Sequence, residues 1–415
     1  MSLIVMKFGG TSLATPELVL QAAKKVAYAS KKNDIVVVVS AMGKTTDKLF
    51  SMSKKINIKP KDRETDMLLT AGERISVALL SMALGQLDLE AASYTGSQVG
   101  IITDNKHTDA RILQIKGDRI KKALAEKKIP VVCGFQGVSQ EKEITTLGRG
   151  GSDTTALALS AVLKAEKCLI YTDVDGVYAE DPKLFPGAKK IDRLCYNEML
   201  ELSSRGAQVL HPRASCLAAK YKIPVEVRNS LNNKSGTLIT DLEGIEKPKP
   251  RAITHSKSLY LVTLTQVPRK SHYVSQLVTE LTNGGVNLKF FFHGVSYARK
   301  FDLSFITALT ERDQVKMILG SLVKRIGVYH VEESTDICSL SIIGRGIGSD
   351  HTILSATFNT LAKTKIHIEL ITTSELSINI FMKKQALNKA IRALLDRFHL
   401  RKVMRKRQKN NRQRK

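Results

Sequence analysis

Three turns hold the side chains best suited to handling a transferable charged group. The first is Lys7-Phe8-Gly9-Gly10-Thr11-Ser12, between an apolar run and a helix signal. Paired glycines let main-chain N–H groups approach a phosphate, and the helix start behind them adds a favourable dipole. Lys7 places a cation at the end of the apolar run. A tight turn with a surface lysine accounts for the same residues. The second is Leu147-Gly-Arg149-Gly150-Gly151-Ser152-Asp153-Thr-Thr155, directly ahead of the apolar stretch 156–163. An arginine there can clamp a carboxylate with two parallel hydrogen bonds, while helix-start N–H groups hold an anion. The bland reading is a flexible loop with Ser152 or Asp153 as N-cap. The third is Tyr171-Thr172-Asp173-Val-Asp175-Gly-Val-Tyr178, followed by Asp181-Pro182-Lys183. Tyr178 could flank a base and Lys183 could meet phosphate. Gly176 and the missing terminal Glu break any calcium-loop pattern, and a polar β-turn loop is the plain alternative.

Other residues are weaker signals. Gly43-Lys-Thr-Thr46 lacks the first glycine of a P-loop, because Val38 stands there. Ser40 and Thr46 still follow an apolar run, where ligand sites of α/β sheets gather. Glu73 opens a helical stretch, and its local explanation is favourable interaction with the helix dipole. His211, in His-Pro-Arg213, is a lone histidine; no His/Cys spacing fits zinc, so no metal-ligating set is expected.

Composition narrows the class. The chain has 415 residues, with 43% hydrophobic and 25% charged, which excludes wholesale disorder. At about 100–200 residues per domain, two or three domains are expected. Aromatics are only 5% and Trp is absent, which argues against a base-stacking nucleic-acid binder. Lys and Arg total 65 against 39 Asp and Glu, a net charge of +26. Nine of the basic residues fall in 401–415, which holds no acid. A basic surface attracts nucleotides, small anions, nucleic acid and anionic lipid alike, so charge does not choose among them. Five scattered cysteines without a CxxC pair fit a reducing compartment. No run of 18 apolar residues occurs, so a cytoplasmic protein that does not span a membrane is expected.

The elements that would carry these turns can be read from periodicity. Residues 3–6 read as a buried strand, and Thr15-Pro16 as the N-cap and first position of a helix reaching about residue 32. Ile35 to Val39 is β-branched and apolar on both faces, as in a central parallel strand. Further strands are predicted at 99–103, 129–133 and 168–172, with helices at 66–84, 108–127 and 153–164. Strand–helix alternation over the first 230 or so residues predicts an α/β domain with a mainly parallel sheet between helices. Turn and linker chemistry follows near 241–256. Beyond it, runs at 259–264 and 337–342 and helix-then-strand patterns at 273–292 and 353–372 suggest two β-α-β-β-α-β modules. The expected divisions are 1–242, 257–330, 336–400 and a mobile tail 401–415.

In this order, KFGGTS, SAMGKTTD, LLTAGERIS, GFQG, TTLGRGGSDTTA, YTDVDGVY with DPK, and GAQVLHPR resemble aspartokinase over about residues 1–240. The C-terminal part resembles that family's paired ACT modules, most clearly at Ile368 to Leu376. The resemblance implies an amino acid kinase-type three-layer α/β domain followed by two ferredoxin-like α+β modules. It implies transfer of a phosphoryl group from ATP, with Mg2+, to the β-carboxylate of L-aspartate, on the route to lysine, threonine and methionine.

The same resemblance implies roles. Lys7, with Phe8, Gly9 and Gly10 around it, would meet the transferring phosphoryl group, and Asp153 would orient Lys7. Ser40, Thr46, Glu73, Arg149, Gly150, Gly151 and Ser152 would surround aspartate, Glu73 on its ammonium and Arg149 on its α-carboxylate. Thr172, Asp173, Tyr178, Asp181, Pro182 and Lys183 would lie around the nucleotide. Asn287, Leu288, His293, Ser349, His367 and Glu369 would form effector sites for lysine or threonine, within a homodimer or larger assembly joined through the ACT modules. Lys289 stands where an acid is usual and His293 where an amide is, so the first module's effector site is expected to be altered. A kinase of the same fold acting on another acid or a nucleoside monophosphate, and a nucleic-acid-binding or purely regulatory protein, are the rival readings. ADP release dependent on aspartate separates them.

Overall fold

The structure, a computed structural model, describes residues 2–241, 248–294, 300–328 and 330–402. Of the basic tail expected at 401–415, only Arg401 and Lys402 are therefore described. Described residues up to Pro182 and from Ala188 to Asp241 form one compact unit; Lys183–Gly187 and those from Pro248 onward form a second.

The first unit runs β1 (Ser2–Phe8), α1 (Pro16–Ser30), β2 (Asn33–Val39), α2 (Thr45–Ile56), α3 (Asp62–Leu69), α4 (Ala71–Gly85), β3 (Ala91–Tyr94), β4 (Ile101–Thr103), β5 (Ile112–Ile115), α5 (Asp118–Ala125), β6 (Ile129–Cys133), β7 (Gln136–Ser139) and β8 (Ile144–Thr146). It continues with α6 (Gly151–Val162), β9 (Lys167–Thr172), β10 (Arg193–Leu194), α7 (Tyr196–Arg205), α8 (Pro212–Tyr221), β11 (Val225–Asn229) and β12 (Thr237–Ile239). Eight strands form the main sheet in the order β10-β12-β11-β9-β1-β2-β6-β3, parallel at every pair except β11–β12.

Strand alternation decides what each face meets. Ile4, Met6 and Phe8, with Ile35, Val37 and Val39, bury against Val19, Ala22, Ala23 and Val26 of α1 and Val77, Leu80 and Leu84 of α4. Val5, Val36 and Val38, of opposite parity, are equally buried on the other face, where α6 packs on β1. Lys7 shares that parity, so it projects towards α6. Burial drives the Cys133 and Cys168 thiols up to about 12, so these cysteines serve as small apolar core residues.

Three expectations are corrected. Residues 108–127 are not one helix: Ile112–Ile115 pairs with β4, and α5 starts only after Gly117, whose φ is +72°. The strand expected at 99–103 is β4, which lies in a separate sheet ordered β5-β4-β7-β8. The helix at 66–84 is two helices meeting at Thr70. Together these span Asp62–Gly85, apolar enough by length and composition to cross a membrane, yet half of its most apolar 18 residues are buried inside the protein.

The second unit comprises β13 (Ala252–Ser256), β14 (Leu259–Pro268), α9 (Ser271–Asn283), β15 (Phe290–His293), β16 (Lys300–Ala308), α10 (Arg312–Ile326), β17 (His330–Ser334), β18 (Ile337–Ile343), α11 (His351–Lys363), β19 (Leu370–Thr373), β20 (Ser377–Lys383) and α12 (Leu387–Arg397). Its two antiparallel sheets are ordered β15-β16-β14-β17 and β13-β18-β20-β19. The second module was expected to close with its own last strand. Instead β13, from ahead of the first module, takes that edge. After α12 the sequence offers almost no apolar alternation, whereas Ala252 and Ile253 are buried. Between the modules, Phe290 and Phe292 of β15 meet Phe381 of β20 edge-on at 4.8 and 5.8 Å.

Candidate active site

The parallel register aligns Phe8 with Val39 and Tyr171, and Val39 with Cys133. The loops after β1, β2, β6 and β9 therefore emerge together at the carboxyl edge of the sheet, where open α/β sheets bind ligands. They are stitched to one another: Gly9 N–H donates to Tyr171 O at 3.1 Å, Ser40 N–H to Phe8 O at 3.1 Å, Gly43 N–H to Gly10 O at 2.9 Å and Gly134 N–H to Val39 O at 2.9 Å.

Lys7 Nζ lies 2.6 Å from Asp153 Oδ1, both side chains 12% exposed. Strand parity sends Lys7 to the α6 face, and Asp153 waits in the first turn of α6, where an acid also interacts favourably with the dipole. A β-carbon at Gly9 would sit 3.5 Å from that ammonium, and one at Gly10 only 2.7 Å from Ala41 O. Close approach therefore requires glycine at position 10, whereas a β-carbon at position 9 would make only ordinary contacts, and the two also differ as donors. The Gly9 N–H is committed to Tyr171, which leaves Gly10 as the free donor of the pair among the described residues. Phe8 is fully buried and stacked on Tyr171 at 4.7 Å, so only its main chain can face a ligand.

Glu73 is 2% exposed. Its Oε1 accepts from Ala41 N–H at 3.0 Å, whereas Oε2 is buried without a hydrogen-bond partner among the described residues. Burial pushes its pKa up to about 7, against the lowering effect of the Ala41 N–H. A buried carboxylate with an idle oxygen is costly unless a cation arrives to use it. Ser40 and Thr46 flank this corner, half-buried after β2 and at the start of α2.

Across the sheet edge, Arg149 is exposed in the turn between β8 and α6, without an ion pair among the described residues. Gly150 takes φ +69°, and a β-carbon there would strike the His211 ring. Gly151 begins α6, and Ser152 is buried against Gly134. At β9, Thr172 donates its hydroxyl to Asp173 at 3.2 Å. Tyr178 is half-buried in a loop fixed by Thr237, whose hydroxyl accepts from Val177 N–H at 2.8 Å. Nearby Asp175 is held below the usual carboxylate range, first by the Asn232 amide and then by that of Asn229. Asp181 and Pro182 end this stretch, but Lys183 belongs with Gly187 to the second unit, so its nucleotide role gains no geometric support from the first.

The amino acid kinase family model matches residues 2–229 and an ACT domain model matches residues 340–398. The aspartokinase of Bacillus sp. (strain MGA3) is 41% identical over 402 residues, spanning 96% of this chain and 98% of that protein. The aspartate kinase of Pseudomonas fluorescens is 40% identical over 405 residues, spanning 96% and 98%. The chain belongs to the aspartokinase family. It is thus a phosphotransferase, an aspartate kinase. Among solved structures, aspartokinase III of E. coli in complex with aspartate and ADP shares the fold with a TM-score of 0.82 at 22% identity, over 96% of this chain and 100% of that one. The aspartate kinase of Synechocystis superposes with a TM-score of 0.54 at 37% identity, over 96% and 70%.

Within this aspartokinase, Lys7 meets Asp153 of α6, and Glu73 of α4 reaches the loop after β2. Ala41, Gly134 and Arg213 stand in motifs that carried the resemblance but were assigned no role, and Asp66 stands in none of them. Asp66 is completely buried, accepting from the Thr146 hydroxyl at 2.5 Å, the Thr108 N–H at 3.1 Å and His107 Nδ1 at 2.7 Å. The effector candidates sit in the second unit. Asn287 N–H donates to Glu311 at 3.1 Å, half-buried Leu288 packs on the module core, and exposed His293 stacks on Phe301 at 4.3 Å. Ser349 precedes α11, while His367 and Glu369 are exposed ahead of β19. Among the described residues no cluster of three metal-ligating side chains occurs.

Proposed function

We propose that aspartate is gripped by its ammonium on Glu73 and its α-carboxylate on Arg149, so that its β-carboxylate meets the γ-phosphoryl group of ATP beside Lys7. The supporting observation is Glu73 Oε2, an idle anionic acceptor in the core beside a loop that also contacts Gly10. Arg149, an exposed cation on a turn at the start of α6, supplies the opposite pole. Two opposite charges select a zwitterion over a simple acid or amide.

The attacking carboxylate is already ionised at neutral pH, so no strong base is required. The protein instead orients two anions and offsets the charge between them. Lys7, aimed by Asp153, faces the transferring group, and the Gly10 N–H adds a donor. Mg2+, when bound to ATP, supplies further charge neutralisation. Thr172, Asp173, Tyr178, Asp181 and Pro182 would flank the nucleotide. The pathway position, the division into one catalytic domain and two ACT modules, a cytoplasmic site of action and pairing through ACT edge strands belong to the same proposal.

Arg149→Ala is expected to raise the KM for aspartate about 10- to 100-fold and leave that for ATP nearly unchanged. A parallel rise in both would reject the assignment. The pH profile follows from Glu73. Its carboxyl is protonated in the free enzyme below about 7, and a neutral acid cannot hold an ammonium. The KM for aspartate should therefore climb as pH falls below 7, approaching about tenfold per unit, with a flat region above; steady-state kinetics from pH 6 to 9, as an approximate range, read this directly.

Feedback through the first module is proposed to be weak, because exposed Lys289 adds a cation where an effector's ammonium would arrive. Calorimetry with lysine and with threonine tests this, and tight lysine binding that needs residues 258–328 would refute it.

A further inference from the structure

The Arg149 turn has little rigidity of its own, since Gly148 and Gly150 on either side have φ of +73° and +69°. Separate segments of the chain hold it from outside. Thr108 O and Asp109 Oδ1 crowd Gly148, at 3.0 and 3.2 Å from where a β-carbon would stand. The His211 ring closes against Gly150. One side chain joins these walls to the turn. Arg213 donates through Nη2 to Ala110 O at 2.8 Å and through Nη1 to Leu147 O, and Nη1 also lies 3.5 Å from Asp109 Oδ1. Leu147 is two residues before Arg149, and Ala110 N–H in turn donates to Thr146 O at 2.9 Å. A single planar guanidinium thus ties the 108–110 loop to the base of the Arg149 turn. A lysine could not span both carbonyls, because its ammonium lacks the fork geometry.

We propose that Arg213 is a positioning residue: it fixes the Arg149 turn from behind and thereby sets affinity for the substrate's α-carboxylate. This rests on the assignment of Arg149 to aspartate. Burial and the like charge of Arg111 both work against the Arg213 cation, so its presence is not explained by a gain in charge interactions alone. Arg213 also lines a cavity of about 460 Å³ between β5, α6 and α8, bordered by Ile112, Thr154, Ala158 and Leu217. The space left by truncating Arg213 would therefore be open to a small diffusible cation.

Arg213→Ala should raise the KM for aspartate about tenfold or more, while kcat and the KM for ATP stay within about threefold. Millimolar guanidinium should reverse much of that rise, and urea at equal concentration should not. In an Arg149→Ala background, Arg213→Ala should add less than about twofold, because the turn it steadies no longer carries the clamp. Equal effects on both substrates, rescue by urea as good as by guanidinium, or a full effect in the Arg149→Ala background would each overturn the proposal. If the alanine variant does not fold, Arg213→Lys serves in its place: it keeps the charge, and a wild-type KM for aspartate would contradict the proposal. If Arg149→Ala itself leaves the KM for aspartate unchanged, the underlying substrate assignment fails; an Arg149 effect without an Arg213 effect removes only this inference.

Discussion

Replacing Lys7 by Met should lower kcat by about 10³-fold or more, the scale seen when a cation facing a transferring phosphoryl group is lost. The methionine preserves the length of the side chain and its packing on the α6 face. It leaves Asp153, 12% exposed and otherwise 2.6 Å from the ammonium, facing no cation at that position. Some stability is therefore lost as well, since removing one partner of a shielded ion pair strands the other. The two effects are separable. Asp153→Asn keeps the Lys7 charge and removes its anchor, so kcat should fall by a smaller factor, about 10- to 100-fold. Lys7→Met/Asp153→Asn should be no slower than Lys7→Met alone and should recover stability, because the orphaned carboxylate is gone. Steady-state kinetics and thermal melts of the three variants read this pattern. A Lys7→Met enzyme within tenfold of wild type would rule out the proposed role.

Glu73→Gln should separate function from stability. The KM for aspartate should rise by about 100-fold or more, since a neutral amide cannot pair with the ammonium in a site shut from water. The stability effect has the opposite sign. The folded-state pKa of Glu73 is about 7 against an ordinary 4.5, and burial is the cause. Between those values the folded chain holds a proton that the unfolded chain releases, so this group makes folding less favourable as pH rises through the window. Above pH 7 the full cost is of order 3 kcal/mol. Glutamine avoids it but leaves amide hydrogens without acceptors, which returns about 1–3 kcal/mol. The firmer expectation is therefore the shape: the stability of Glu73→Gln relative to wild type should grow from pH 4.5 to 7 and level off above. Denaturant melts across that range would show it, and a pH-independent difference would contradict the burial of an ionisable Glu73.

The part of this site that follows strands and their ends was legible in the residues. Ile35 to Val39 could hardly be anything but a central strand, and Lys7 and Gly9-Gly10 had to stand at the end of another. Glu73 was not legible locally, because an acid in the first turn of a helix looks like a dipole partner; only resemblance raised it, and its idle oxygen appears only once α4 is packed against Ala41. Arg213 stood in a motif that carried the resemblance, but its role was not legible, and Asp66 left no sequence trace, since Arg213 meets Leu147 across 66 residues and Asp66 meets Thr146 across 80. The false helix at 108–127 has a plain cause. Ile112, Leu113, Ile115, Ile120 and Ala123 mimic helical spacing across what is a strand followed by a helix, and Gly117 was the overlooked break. The exchanged strand β13 was hidden because strand pairing between residues 252–256 and 339–343 crosses an entire module.

The most direct measurement is a crystal structure of the enzyme with L-aspartate and a non-hydrolysable ATP analogue. The expected result places the substrate ammonium within hydrogen-bond distance of Glu73 Oε2, its α-carboxylate on the Arg149 guanidinium, and its β-carboxylate pointing at the terminal phosphate beside Lys7. Aspartate bound with Glu73 Oε2 still unpaired, or with Arg149 turned away into solvent, would contradict it.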